Sequence, residues 1–179
     1  MADAKLLVLT LALVACGKTK APPPKDLSEP AAGETFAIQL DRQACYGTCP
    51  VYTVAIDPDG TVHYDGKSYV RLRGPQTGKI TPAALEALQK RFDAAKFESL
   101  DWKECGAVTD SSSANLTRVR GGRKRMTHDY HGASCVPKEL RELEDEVDRV
   151  AGTKQWIDCP PHEVDLGNGQ KTRVDYCDK

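Results

Sequence analysis

The chain has 179 residues, a formal net charge of -1, 40% hydrophobic and 28% charged residues. This is an ordinary globular balance, enough for one domain with a modest core, and its near-neutrality excludes a general nucleic-acid binder. Seven cysteines make the redox compartment the next question.

The first 15 residues read as a secretory signal. Lys5 supplies a thin positive start, partly offset by Asp3, and Leu6 to Ala15 forms an apolar run. A helix of that length is too short to cross about 30 Å of hydrocarbon. Leu13-Val14-Ala15-Cys16 resembles a bacterial lipobox. The resemblance implies a diacylglyceryl group on the Cys16 thiol, cleavage before Cys16 and acylation of the new amine, often by palmitate. Acyl chains at about 0.8 kcal/mol per buried methylene would hold a domain to a bilayer. Gly17 is not the acidic residue of an inner-membrane retention signal, so the expected address is the outer membrane, facing the periplasm. The plainer alternative is an ordinary signal peptide cut near Ala15, with Cys16 a leftover thiol.

Residues 16–35 read as the lipidated cysteine and a spacer. The segment is rich in Pro, Lys, Glu and small residues, and has no periodic apolar face. Such composition does not repay the entropy of ordering, and Pro22 to Pro24 favour extended polyproline II.

At Phe36 the pattern changes. Phe36, Ile38 and Leu40 alternate with polar or small residues, as do Tyr52, Val54 and Ile56 within Val51 to Asp57. The two-residue period predicts strands. Asp57-Pro58-Asp59-Gly60 predicts a turn, with Thr61 to Asp65 returning antiparallel and Tyr69 to Arg73 adding a fourth strand. Thr81 as N-cap and Pro82 at the first helical position open a helix with Leu85, Leu88, Phe92 and Ala95 on one stripe, and Ile80 staples its start. Ser112 to Arg120, Gly121-Gly122 and Arg123 to Tyr130 form a second hairpin. A second helix opens at Pro137, carries Leu140, Leu143, Val147 and Val150 on one side, and is capped by Gly152. Lys138 with Glu142 and Asp145 with Arg149 are expected i,i+4 pairs, and the helix's other acids read as a solvated face. A tail hairpin turns at Gly167-Asn168-Gly169.

The expected fold is therefore α+β: an antiparallel meander with helices on one face, spanning residues 36–157, followed by a Cys-bridged tail hairpin over 158–179. No glycine-rich phosphate loop opens either helix.

Cys45-Tyr46-Gly47-Thr48-Cys49-Pro50-Val51-Tyr52, the Asp59-Gly60-Thr61-Val62 turn, Thr127-His128-Asp129-Tyr130-His131-Gly132, and Leu143-Glu144 through Ala151-Gly152-Thr153 to Trp156 carry a resemblance. Together they resemble the bacterial family catalogued as domain of unknown function 6438. That family is often found on exported proteins and lipoproteins, so the resemblance implies a domain and no activity.

Six cysteines remain beside Cys16, an even set that predicts a disulfide framework in an oxidising compartment. Neighbourhood favours Cys45 with Cys49, Cys105 with Cys135, and Cys159 with Cys177, although sequence alone does not choose among the pairings. The Cys45 to Cys49 bridge closes the shortest loop and is the least secure. Its CxxxCP pattern is similar to the copper motif of the Sco family of copper chaperones, in which two thiolates select a soft metal. Here a strand follows instead of a helix, which removes the thioredoxin-type context.

His128, Asp129, His131 and Cys135 form a ligand cluster on paper, but the two histidines point to opposite faces unless the strand ends before His131. No Ser, His and acid arrangement is recoverable from spacing. In the second hairpin, a two-residue loop pairs Arg120 with Arg123 and Arg118 with Arg125, giving a basic patch on one face. It suits anionic lipid headgroups, lipopolysaccharide phosphates or an acidic partner, and otherwise reads as a solvated outer face that discourages edge pairing.

The resulting expectation is a non-enzymatic envelope lipoprotein without a cofactor, bound to the membrane by its N-terminal lipid and contacting an envelope protein or anionic envelope component. The alternative is periplasmic copper binding or thiol-redox work at Cys45 and Cys49.

Overall fold

The computed structural model describes residues 36–103, 106–167, 169–174 and 176–177. The expected signal, Cys16 and the spacer lie outside the described residues, as does Cys105. Strands β1 (Phe36–Arg42), β2 (Val51–Ile56), β3 (Thr61–Ser68) and β4 (Gly74–Lys79) are followed by α1 (Pro82–Ala94) and a 3-10 turn, Phe97–Ser99. Then come β5 (Ser113–Arg120), β6 (Arg123–Tyr130), α2 (Lys138–Ala151), the short α3 (Lys154–Ile157), and β7 (His162–Asp165) with β8 (Lys171–Val174). The architecture is α+β, as the alternation and helical stripes predict. The six-stranded sheet is antiparallel throughout, in the order β4-β3-β2-β1-β5-β6, and the tail hairpin β7-β8 is a separate sheet.

Register places side chains in rows across the inner face. One row runs Val62, Ile56, Ile38, Arg118, Arg125; the next Tyr64, Val54, Leu40, Leu116, Thr127; the third Tyr52, Arg42, Ala114, Asp129. Leu85, Leu88 and Phe92 of α1 and Leu140, Leu143 and Val147 of α2 are buried with the apolar members of these rows. The core lies between this sheet face and both helices, and its two flanking rows carry arginines.

The helix signals act as expected. The Thr81 hydroxyl accepts from the Ala84 amide at 3.1 Å, Pro82 sits at the helix start, and Gly152 caps α2 at φ 70°, a conformation that favours glycine. Three expectations are corrected. The fourth strand is Gly74–Lys79, not Tyr69 to Arg73: Tyr69 takes a positive φ of 54°, and the segment after it bonds to α3, with the Leu72 amide donating to the Trp156 carbonyl at 2.9 Å. Pairing with β3 makes GPQTGK a strand, and the Pro75 position is tolerable because β4 is an edge. Asp145 does not pair with Arg149. Arg149 instead grips both oxygens of Glu146 at 2.7 Å, and Asp145 accepts from Arg42. Finally, the acids of α2 are not all solvated, since Glu144 is 1% exposed.

Trp156 closes the β4 side of the core. Its ring centroid lies 4.9 Å from that of Tyr64, and its edge rests where a side chain on Gly78 would begin, 3.2 Å from an ideal Cβ. Replacing Trp156 by Ala removes a buried aromatic and should cost about 3–5 kcal/mol, read as a lowered urea midpoint with unchanged slope.

Candidate functional site

Two charged assemblies occupy opposite ends of the sheet. At the end where β1 finishes, the two-residue period that buries Ile38 and Leu40 continues to Arg42, which therefore points beneath α2. Its Nη1 donates to Glu144 Oε2 at 2.6 Å, and its Nη2 donates to Asp148 Oδ2 at 2.9 Å and Asp145 Oδ1 at 3.3 Å. Asp148 Oδ1 accepts from the Tyr52 hydroxyl at 2.7 Å and from Thr153 at 2.9 Å. Burial works against the Arg42 charge, but Asp148 and Glu144 outweigh it and hold its pKa above the ordinary arginine value. Burial and then Asp148 raise the Tyr52 phenol.

β6 ends at Tyr130, one residue before His131. The ring is thereby freed from strand geometry and turns toward α2. Its Nε2 lies 3.0 Å from Glu144 Oε2 and 3.6 Å from Asp129 Oδ2, and its Nδ1 lies 3.0 Å from Ser112 Oγ. Asp129, fully buried, receives Arg141 Nε at 3.1 Å. Arg141 also ties down the Ala133 carbonyl at 2.9 Å. The cluster drawn from sequence is thus only half assembled. His131 meets Asp129, but His128 is exposed and bonded to Asn115 at 2.8 Å, and Cys135 is in a disulfide.

Asp129, His131 and Glu144 each present a ligand atom within 4.8 Å of the others, the spacing of a metal site. Their partners argue otherwise: both carboxylates already hold a guanidinium, and a divalent cation would have to displace Arg42 and Arg141 or lie beside their charges. Ser112, His131 and Glu144 also share the connectivity of a hydroxyl–imidazole–carboxylate relay. The same Glu144 Oε2 that faces His131 takes the Arg42 bond, which opposes the imidazolium such a relay must form. The chemistry of this end is mutual neutralisation.

The opposite end carries the predicted basic patch, on a different face from the solvated one. Arg118 pairs with Arg125 and Arg120 with Arg123, the register expected of the Gly121-Gly122 turn. Because Arg118 also opposes Ile38, however, these residues share the helix-covered face. Arg118 is 1% exposed. It lies 5.2 Å over the Phe92 ring and donates to Asp93 at 2.9 Å and Glu98 at 2.8 Å. Arg120 also binds Asp93, and Arg125 donates to the Leu100 carbonyl at 2.7 Å. Glu98, Arg118, Arg120, Arg123, Lys124 and Arg125 line a concavity of about 440 Å³. No ion pair engages Arg123 or Lys124 among the described residues. Partial burial tends to raise the Asp93 pKa, but hydrogen bonding and charge from Arg118, then Arg120, leave it below the ordinary carboxylate value.

Two of the three expected cysteine pairs are bridged, Cys45 with Cys49 and Cys159 with Cys177, with Cα separations of 5.8 Å and 5.4 Å. Cys135 is disulfide-bonded, while its expected partner Cys105 lies outside the described residues. In this bridged form neither Cys45 nor Cys49 offers the thiolate that a copper site requires.

Sequence reasoning missed Arg42, Glu144 and Asp148. The signals were present: Arg42 continues an apolar alternation, and Glu144 falls within the Leu140, Leu143, Val147, Ala151 stripe of α2. A model of the family described as Domain of unknown function (DUF6438) matches residues 36–151.

Two outcomes follow. Arg42→Met leaves the buried Glu144 and the half-buried Asp148 without their cation and should cost about 3–5 kcal/mol in chemical unfolding, part of which Arg42→Met/Glu144→Met recovers. The depressed folded pKa of Asp93 means that its contribution is complete above its unfolded value near 3.8 and fades as pH falls through the lower folded value. Asp93→Asn should therefore lower stability at neutral pH and flatten its decline below about pH 4, measured by urea titration across pH.

Proposed function

The chain belongs to the DUF6438 family, and we propose that it is a lipid-tethered domain of the bacterial cell envelope that binds an anionic envelope component and catalyses no reaction. The observation that carries the reading is the concavity of the β5–β6 hairpin, where arginines and Lys124 outnumber the carboxylates that face them. The bridged cysteines support an oxidising compartment, and the lipobox-like Leu13 to Cys16 with its spacer supports a tether at the outer membrane, facing the periplasm. The self-neutralised end near Arg42 supports a structural role for the groups that would otherwise suggest catalysis.

A second reading keeps one specific observation. The Cys45–Cys49 bridge closes a short loop whose Tyr46 is 89% exposed, so the bridge sits where a reductant or a copper donor can reach. Titration of thiols in the purified protein, with metal analysis of the same sample, separates the two. An absence of free thiols and copper supports the binding module, whereas two reactive thiols with bound copper support the alternative.

The tether is tested by fractionation. The parent chain should stay with membranes through a wash of about 1 M salt and leave only in detergent, while Cys16→Ser should be released by that wash with its fold intact. Retention of Cys16→Ser after the wash, in protein whose mass shows residues 1–15 removed, would overturn the lipid anchor.

A further inference from the structure

We infer that the anionic component is the phosphate layer of the tethering membrane itself, and that the β5–β6 hairpin docks on headgroup phosphates through Arg120, Arg123, Lys124 and Arg125. The inference rests on the tethered reading for its geometry, while its surface chemistry stands on the hairpin alone.

Topology supplies the first argument. Phe36, where the described chain begins, pairs with Arg120 in the sheet register. The segment that joins Cys16 to the domain therefore attaches directly beside the basic hairpin, at the end of the sheet that carries the Gly121-Gly122 turn. From Cys16 to Phe36 an extended spacer reaches about 60 Å and a coiled one spans roughly 25 Å. Either length allows that end of the domain to meet the bilayer, at an effective concentration of order millimolar.

Charge distribution supplies the second. The hairpin places Arg118, Arg120, Arg123, Lys124 and Arg125 against Asp93 and Glu98, with Asp101 flanking Arg125 in the neighbouring hollow. The acidic turn at the same sheet end holds Asp59 in an ion pair with Lys79 at 3.0 Å, and Asp57 in a hydrogen bond with the exposed His63 at 3.1 Å. At the other end Glu144, Asp145 and Asp148 converge on Arg42. A chain of near-zero net charge is thus polarised along the strands, and a negative surface orients such a body with its tether-side end inward.

Preorganisation supplies the third. Arg118 forms a buried, doubly paired floor, and Asp93 holds Arg120 at the wall. Arg125 is fixed by the Leu100 carbonyl, and its buried Nε has no hydrogen-bond partner among the described residues. Arg123 and Lys124 stand exposed beside the turn. Guanidinium groups with little freedom left to lose suit phosphate oxygens, which they bind in pairs. The concavity, about 440 Å³, has room for a headgroup phosphate.

The test uses the chain from residue 16 onward with Cys16→Ser, which carries neither the apolar run Leu6 to Ala15 nor an acyl group on Cys16, sedimented with vesicles of phosphatidylcholine alone or with about one-third phosphatidylglycerol. It should bind the anionic vesicles, lose at least tenfold in affinity between about 0.05 and 0.5 M salt, and ignore the neutral ones. Arg123→Glu/Lys124→Glu, at an unchanged thermal midpoint, should weaken binding at least tenfold. Equal binding to both vesicles, or an unaffected variant, overturns the inference. So does full displacement by a few millimolar inorganic phosphate at constant ionic strength, which would assign a free-anion site, or tighter binding of polyglutamate than of anionic vesicles, which would assign an acidic protein. Vesicle binding needs no lipid on Cys16, so its failure leaves the anchor standing, and failure of the salt-wash fractionation leaves the vesicle result standing.

Discussion

An arginine on each flanking row of an apolar sheet face must be met by a carboxylate from above, and the arrangement of the domain depends on that constraint. Arg42 and Arg118 lie at opposite ends of the same inner face, with the row of Leu40 and Leu116 between them. Each guanidinium is inaccessible to bulk water along most of its length, so each needs acids placed by the covering layer. α2 supplies Glu144 and Asp148 to the first, while the end of α1 and the turn after it supply Asp93 and Glu98 to the second. Apolar stripes alone would let a helix slide over the sheet at modest cost. Buried pairs add little net stability over an apolar filling but are costly to break, so their effect here falls on register.

The two ends satisfy the constraint differently, and this difference separates structure from surface. Around Arg42 the acids are numerous enough to engage Arg42, His131, Tyr52 and, through Asp129, Arg141. That assembly has the residue types of a catalytic or metal centre but spends them on one another. Around Arg118 the acids are consumed by the buried floor and by Arg120, and Arg123 and Lys124 beside the Gly121-Gly122 turn stand exposed. At this end the internal balance leaves a basic remainder at the surface.

Much of this was legible in local patterns. The alternation of Ile38 with Leu40 and of Val54 with Ile56, the Thr81-Pro82 start, the Gly152 stop and the Gly121-Gly122 turn each act through neighbouring residues, and each appears where the pattern places it. The errors fall where a distant partner decides. β4 is a strand only because β3 offers an edge, Asp145 abandons Arg149 for an arginine on another element, and Glu144 is buried because Arg42 and His131 await it. The hairpin register was readable, but the face it presents was not, because that face follows from the pairing of Arg118 with Ile38 across two strands.

By itself the sequence determined most of the element types, the α+β class and the hairpin pairings of the arginines, and it favoured the Cys45 with Cys49 and Cys159 with Cys177 bridges without choosing them, since these depend on period, turn chemistry and proximity along the chain. Tertiary structure decided which face those arginines share, which acids neutralise them, and that Phe36 enters beside the basic hairpin. The physical reason is that burial of a charge is a property of the assembled layers: the cost of an arginine under a helix is set by the carboxylates that the helix brings, and no local pattern records that meeting.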